Sequence, residues 1–299
     1  MRKVERLEGV IPALITPFTE SGRVNGNALI DLMKWNLGQG AVSFFIGGSS
    51  AECFLMTPSE RIEAMEIAAQ MKDDAYLIAH VGAISTDIAI DYAKHAVDLG
   101  YDAIAATPPF YYGFGPKEIY QYYYDLAQAA GKPVLVYNFP GNTGKNFDLE
   151  NPIYRKMFTS DFILGVKHTN QIVYQLERFK ALNPNLIMMN GFDETSIAAY
   201  ALGCEGSIGS TFNFMYYHYE AIREAFYAGK VEEARELQHR ANNIMNALVN
   251  VGLFPAIKYI LNEWGFDAGS PRRPFFPLDD ASKTVVDTAL AQNLLRKPE

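Results

Sequence analysis

The sequence predicts an α/β protein: a (β/α)8 TIM barrel with a C-terminal helical extension. Three observations predict it. Eight short apolar runs recur along roughly the first 225 residues, each followed by a segment of helical period. Most of these runs are apolar throughout instead of alternating, which suits parallel strands covered on both faces. The doubly wound alternative lacks its usual signatures, because no GxGxxG follows a run and no GxxxxGK[ST] occurs.

The runs fall at residues 10–16, 41–46, 75–81, 103–106, 133–137, 162–167, 186–189 and 206–208. Between them, Thr57-Pro58-Ser59-Glu60 has the form of a capping box. Thr57 accepts from the N3 amide, Glu60 reaches back, and Pro58 fits N1, where a missing N–H costs nothing. Ile62, Met65, Ala68 and Ala69 then form an inner stripe. Ile88, Tyr92, His95 and Leu99 lie about one turn apart. Gly40, Gly100, Gly131 and Gly203 follow helical stretches at positions that favour positive φ. Residues 230–261 are again helical, with no strand run after them. Pro271-Arg272-Arg273-Pro274-Phe275-Phe276-Pro277 is a loop, and 281–295 a last helix. The expected division is a barrel over 1–225, carrying the active site, and a helical extension over 226–299.

Composition narrows the function. Nearly half of the 299 residues are apolar, 49%, enough to offset the backbone entropy of folding, so a disordered chain is excluded. Two cysteines cannot staple a chain of this size. With 26 Lys+Arg against 34 Asp+Glu the net charge is −8, which argues against a nucleic-acid or membrane-surface partner. A small anionic ligand stays possible, since a few local donors hold one carboxylate. The start of the chain is charged and has no signal-peptide pattern, and the apolar runs are too short to span a bilayer. Cys53 and Cys204 have no CxxC partner, so a cytoplasmic protein with two free thiols is expected.

In such a barrel the active site lies at the C-terminal ends of the strands. Lys167 closes the sixth run, at the mouth of a low-dielectric interior. A desolvated amine is protonated less and attacks a carbonyl more readily. An ion pair with Asp193 or Glu194 is the structural alternative. Tyr137 closes the neighbouring run, where a phenol can shuttle a proton or simply point into water. Together on adjacent strands they favour Schiff-base chemistry. Gly47-Gly48-Ser49-Ser50 is small and donor-rich, suited to a carboxylate or to an ordinary turn. Tyr111-Tyr112, after Pro108-Pro109, lines a pocket, an interface or the core. His168 points to the opposite side of its strand from Lys167 and is structural. The five histidines show no HxH or HxxxH spacing, so no metal site is expected, and no GxSxG supports a serine hydrolase.

Several stretches, in order, resemble one family. They are Gly9-Val10-Ile11-Pro12-Ala13-Leu14-Ile15-Thr16-Pro17-Phe18, Gly47-Gly48-Ser49-Ser50-Ala51-Glu52, Pro109-Phe110-Tyr111-Tyr112, Val136-Tyr137-Asn138-Phe139-Pro140 and Gly165-Val166-Lys167-His168-Thr169. The chain is similar along essentially its whole length to the pyruvate-dependent class I aldolases of the dihydrodipicolinate synthase / N-acetylneuraminate lyase family. The resemblance implies a barrel with a helical extension and a Schiff base between Lys167 and the 2-keto carbon. It makes Tyr137 the proton shuttle and gives the carboxylate to Ser49 and Ser50. Tyr111 would reach into a neighbouring subunit's site, in a dimer or a dimer of dimers. No cofactor beyond the covalent Schiff base is implied.

Within the family, the synthase branch places an Arg shortly after the Tyr-Asn-x-Pro segment, where this chain has Gly141-Asn142-Thr143-Gly144. The segments Asn190-Gly191-Phe192-Asp193-Glu194 and Gly206-Ser207-Ile208-Gly209-Ser210 resemble the sialic acid lyase branch instead. They imply that Asp193, Glu194, Ser210 and the backbone at Gly191 and Gly209 bind a polyol tail, with Thr169 on the same ligand. Acidic acceptors suit hydroxyls and repel a second carboxylate. The implied reaction is retro-aldol cleavage of N-acetylneuraminate to pyruvate and N-acetylmannosamine. Another 2-keto acid aldolase or synthase, or a non-catalytic ligand-binding barrel, are the alternatives. Two departures stand out: Ser50-Ala51 where the family has Thr and Gly, and Asn170-Gln171 where it has Gly-Asp.

Overall fold

The computed structural model describes residues 7–293 and 295. The expectations for the first six residues and for the extreme C-terminus lie outside the described residues. The strands are β1 (Gly9–Pro12), β2 (Ser43–Ile46), β3 (Tyr76–His80), β4 (Ala103–Ala106), β5 (Val134–Asn138), β6 (Ile163–His168), β7 (Ile187–Asn190) and β8 (Gly206–Gly209). The helices are α1 (Gly26–Gly38), α2 (Pro58–Ala68), α3 (Thr86–Asp98), α4 (Pro116–Ala130), α5 (Pro140–Thr143), α6 (Pro152–Phe158), α7 (Tyr174–Leu182), α8 (Ser196–Ala201), α9 (Phe212–Tyr227), α10 (Val231–Val251), α11 (Leu253–Glu263) and α12 (Asp280–Gln292).

The sheet order is β1-β8-β7-β6-β5-β4-β3-β2, and a parallel bridge from Ala13 to Phe45 closes it. This is the order of a (β/α)8 barrel, with α10–α12 as the helical segment that follows. Every predicted run holds a strand. The first run ends as a strand at Pro12, because the side chain of Asn213 takes over its hydrogen bonds. Ile15 N–H donates to Asn213 Oδ1 at 3.1 Å, and Asn213 Nδ2 donates to the Ala13 carbonyl at 2.7 Å.

By contacts the chain divides into two compact units: residues 76–208 with the chain up to Gly9, and residues 10–75 with 209–299. The expected boundary at 225/226 lies inside the second unit. In the first unit, β3 to β8 run parallel in sequence order. The β5–β6 register shifts at Val134/Leu135, so that Val134 faces Ile163 but Leu135 faces Gly165. That extra residue brings Tyr137 opposite Lys167 and Asn138 opposite His168. Paired residues of neighbouring strands point to the same face, so the shift puts the Lys and Tyr side by side. Behind them, α4 buries Ile119, Tyr122, Tyr123 and Leu126. The Tyr123 hydroxyl donates to the Ala106 carbonyl at 3.0 Å and fixes the end of β4. On α3 the buried face is Ala89, Tyr92, Ala93 and Ala96, so of the four residues one turn apart Tyr92 is buried and Ile88 is exposed. Small residues let this helix pack closely.

In the second unit, Phe18, Val24, Cys53, Met56 and Ala64 form a core, with Ile67 against it. The capping box forms as expected: Glu60 N–H donates to Thr57 Oγ1, and Thr57 N–H donates to Glu60 Oε2 at 2.8 Å. Met65, Ala68 and Ala69 of the expected stripe are buried, joined by Arg61 and Ala64, and Ile62 is only half-buried. Gly40, Gly100, Gly131 and Gly203 all have positive φ as expected. The stretch 230–261 is helical as expected and forms two helices, bent by 112° at Gly252. The last helix begins at Asp280, capped by the Asp279 carboxylate on Ser282 N–H. Among the described residues, no single helix is long and apolar enough to cross a membrane.

Candidate active site

Lys167 and Tyr137 are buried at 4% and 3% exposure, so the amine sits in a largely water-free place. The amine lies over the face of the Tyr137 ring, 3.8 Å from its centroid. A cation there is attracted by the ring quadrupole, the more so when desolvated. The opposite face of β6 belongs to His168, as expected. Its Nε2–H donates to the Ile172 carbonyl at 3.2 Å, which leaves Nδ1 to accept from Asn138 Nδ2 at 2.9 Å. Burial pulls the His168 pKa down to about 4. A neutral imidazole therefore ties β5 to β6 just behind the Lys–Tyr pair.

His80, at the end of β3, meets the edge of Tyr137 with ring centroids 5.7 Å apart. Its Nε2 accepts from Thr107 N–H at 3.3 Å. The Thr107 hydroxyl is buried with no partner, beside that nitrogen. Phe139 stacks on Tyr137 with an interplanar angle of 14°, and Phe192 meets Phe139 edge-on. His80, Thr107, Phe139 and Phe192 were not among the residues expected at the site. A survey of every strand end would have found His80, since it closes the third strand. The two Phe rings carry no comparable signal.

The acidic pair follows Phe192. Asp193 and Glu194 lie in a 3-10 turn, Asp193–Thr195, with Asp193 buried. Thr195 Oγ1 donates to Asn190 Oδ1 at 3.1 Å, and Asn190 Nδ2 donates to the Phe192 carbonyl at 2.5 Å, which fixes the turn on β7. Burial pushes the Glu194 carboxyl up to about 7, and the Asp193 charge adds to the shift. Near neutral pH Glu194 thus donates as well as accepts hydrogen bonds. The Thr169 hydroxyl is buried without a partner. It lies 1.9 Å from where a Cβ on Gly191 would stand, so only glycine fits at 191. Asn170 turns away into the approach to α7, where Oδ1 accepts from Ile172 N–H at 3.1 Å.

In the second unit, Gly47 has φ +73°, and a Cβ on Gly48 would stand 2.6 Å from the Phe45 ring. The glycines are thus required by the turn and by packing. Ser49–Ala51 is a 3-10 turn with Ser50 buried. Ser50 Oγ and Ser210 Oγ lie 2.6 Å apart. Ser210, expected at a polyol tail, therefore shares a hydrogen bond with a residue expected at the carboxylate. The Gly209 carbonyl accepts from Ala13 N–H at 3.0 Å. Ala51 does not hold a left-handed backbone; its neighbour Glu52 does, at φ 58°. The departure at Ala51 thus costs the turn nothing.

Tyr111 has φ +76° and is 83% exposed, its ring edge-on to Tyr112. It stands at the surface of its own chain. A separate groove of about 650 Å³ lies along Asn146, Arg155, Tyr174 and Gln175 and holds none of the expected site residues. Among the described residues, no three His, Cys, Asp or Glu side chains are grouped as a metal ion needs.

Similarity to known proteins agrees with this geometry. The chain is 38% identical over 287 residues to the N-acetylneuraminate lyase of Rhizobium meliloti (strain 1021), covering 96% of this chain and 95% of that one. CdNal from Clostridium difficile, solved in complex with mannosamine, superposes with a TM-score of 0.91 at 33% identity, covering 96% of this chain and 99% of that one. The sialic acid aldolase of Ruminococcus gnavus, solved as a catalytic lysine mutant, gives a TM-score of 0.92 at 30% identity, covering 98% of each chain. The model of the dihydrodipicolinate synthetase family matches residues 6–293, and with the barrel order and these relatives it shows that the chain belongs to that family.

Proposed function

We propose that the protein is a class I aldolase that cleaves N-acetylneuraminate to pyruvate and N-acetylmannosamine. The single observation that carries this reading is the buried Lys167 amine on the face of Tyr137, 3.8 Å from the ring centroid. Relatives at 38% and 30% identity that are an N-acetylneuraminate lyase and a sialic acid aldolase with a catalytic lysine support it.

The Lys167 nitrogen adds to the C2 carbonyl of the open-chain sugar acid, and water leaves to give an iminium. Ser49 and Ser50 hold the C1 carboxylate. Tyr137 relays the proton of the C4 hydroxyl, receiving it while its own phenolic proton passes to the adjacent C1 carboxylate, as the C3–C4 bond breaks. The bonding electrons flow into the iminium and form an enamine, and the aldehyde of N-acetylmannosamine departs. The enamine takes a proton at C3, water adds at C2, and pyruvate leaves with Lys167 restored. The Tyr137 ring face stabilises the iminium charge, so one side chain serves both as proton relay and as counter-dipole.

Asp193, Glu194 and Thr169 take the hydroxyls of the tail, with backbone groups at Gly191 and Gly209. Ser210 supports Ser50 in addition. Tyr111 completes the site of a second copy in a homodimer or a pair of dimers, which accounts for an exposed aromatic held at positive φ. The two buried free thiols, Cys53 and Cys204, suit the reducing cytoplasm.

The test is a panel of 2-keto sugar acids followed by pyruvate release. N-acetylneuraminate is expected to give the highest kcat/KM. A 2-keto-3-deoxy hexonate that outperforms it contradicts the substrate and leaves the aldolase class intact.

A further inference from the structure

Glu52 ends the Ser49–Ala51 turn and does not belong to the Lys–Tyr chemistry. Its backbone is left-handed, φ 58° and ψ 32°. A non-glycine residue holds that conformation only where its surroundings over-determine it. Here they do. The side chain is fully buried, and Lys258 Nζ of α11 lies 2.7 Å from Oε1. Arg272 N–H donates to Oε2 at 2.6 Å. Lys258 also donates to the Ser270 carbonyl at 3.2 Å and lies 4.1 Å from the Phe18 ring centroid. The Arg272 guanidinium is held in turn by Glu60 and the Gly22 carbonyl, and lies 4.3 Å from the centroid of the same ring. Glu60 is the residue that closes the α2 capping box. Lys258 of α11 and the Arg272 backbone thus meet on one carboxylate, and α2 is tied to them through the Arg272 guanidinium.

A buried ion pair is weak evidence for stability, because apolar residues of the same volume do as well. Its place is more informative. The Glu52 N–H donates to the Ser49 carbonyl at 3.0 Å, so the anchored residue is the one that closes the turn. At the other side of the turn, Ser50 bonds Ser210.

We infer that Glu52 is a positioning residue for substrate binding: clamped by Lys258 and Arg272 of the C-terminal helical segment, it sets the Ser49–Ala51 turn in the shape that presents its hydroxyls to the keto-acid carboxylate. The inference rests on the reading that Ser49 and Ser50 hold that carboxylate. It gives the helical extension a part in binding.

The test is pyruvate titration of borohydride trapping, with cleavage kinetics, in the full chain carrying Lys258→Gln. The half-saturating pyruvate and the KM are expected to rise about tenfold or more, as a displaced binding group predicts. Trapping at saturating pyruvate and kcat are expected to stay within about twofold. Lys132→Gln removes another lysine that bonds two carbonyls, those of Tyr101 and Asp102, and is expected to leave half-saturation unchanged. Where Lys258→Gln does not fold, Glu52→Gln/Lys258→Gln buries no lone charge and is expected to show the same rise. Unchanged half-saturation in the folded variant, or an equal rise in Lys132→Gln, overturns the inference. Absence of trapping in the unaltered protein overturns the aldolase reading, and the inference falls with it.

Discussion

Tyr137 is asked to do two things, and one substitution separates them. Tyr137→Phe keeps the ring under the amine and removes the hydroxyl. It is expected to lower kcat by about 10²–10⁴-fold, while trapping of pyruvate on Lys167 persists. Stopped-flow cleavage and trapping on the same sample check it; unchanged kcat would move the proton relay elsewhere. Glu194 and His168 make a second prediction, because burial shifts them in opposite senses. His168 has a folded pKa of about 4, below its ordinary 6.5. The unfolded chain binds that proton first, so stability falls as pH drops from 6.5 toward 4, by up to about 3 kcal/mol. Glu194 is raised from 4.5 to about 7. The folded chain binds that proton first, so stability rises as pH falls through that window, by about 2 kcal/mol once partial exposure is allowed for. The two nearly cancel. Glu194→Gln is expected to raise Tm above pH 7 and to uncover an acid limb below 6.5; an unchanged Tm–pH profile would contradict both assignments. Lys167 and Tyr137 were legible as residues because each closes an apolar run. The stacking of Phe139 was not, since nothing in a local pattern says which ring meets which.

At the scale of elements, the strands were legible and their details were not. Parallel strands are buried on both faces, so each stands out as a run of apolar residues. The end of β1 was hidden because Asn213, 198 residues from Ile15, supplies the missing bonds. The register shift at Val134/Leu135, which sets Lys167 beside Tyr137, leaves no mark in composition. On α2 only Ile62 departs from the expected stripe, and on α3 the buried face is made largely by alanines, which stand out weakly in an apolar pattern. Two predictions belong here. Thr57→Ala removes half of the capping box and is expected to cost about 1 kcal/mol, read from denaturant unfolding. Gly191→Ala forces a methyl into the Thr169 hydroxyl and is expected to raise the KM for the sugar acid while pyruvate trapping stays intact. Equal loss of both would show that the contact supports the barrel and not the tail.

For the whole molecule, a net charge of −8 and an anionic substrate are compatible once the carboxylate is given to neutral hydroxyls. The proposal then gives the two acidic residues at the end of β7 to the hydroxyls of the polyol. Tyr111, 83% exposed on a single chain, predicts an assembly larger than a monomer by sedimentation equilibrium; a monomer at micromolar concentration would contradict its role. One competing nucleophile has to be distinguished. Burial drives the Lys258 amine down to about 8, against the pull of Glu52. Its amine is nevertheless engaged by Glu52, the Ser270 carbonyl and the Phe18 ring, and its side chain is closed to solvent. Lys167 is the amine that lies on the Tyr137 ring. Borohydride reduction with pyruvate, followed by peptide mass mapping, decides between them. The account predicts a single reduced adduct on Lys167; an adduct on Lys258, or none at all, contradicts it.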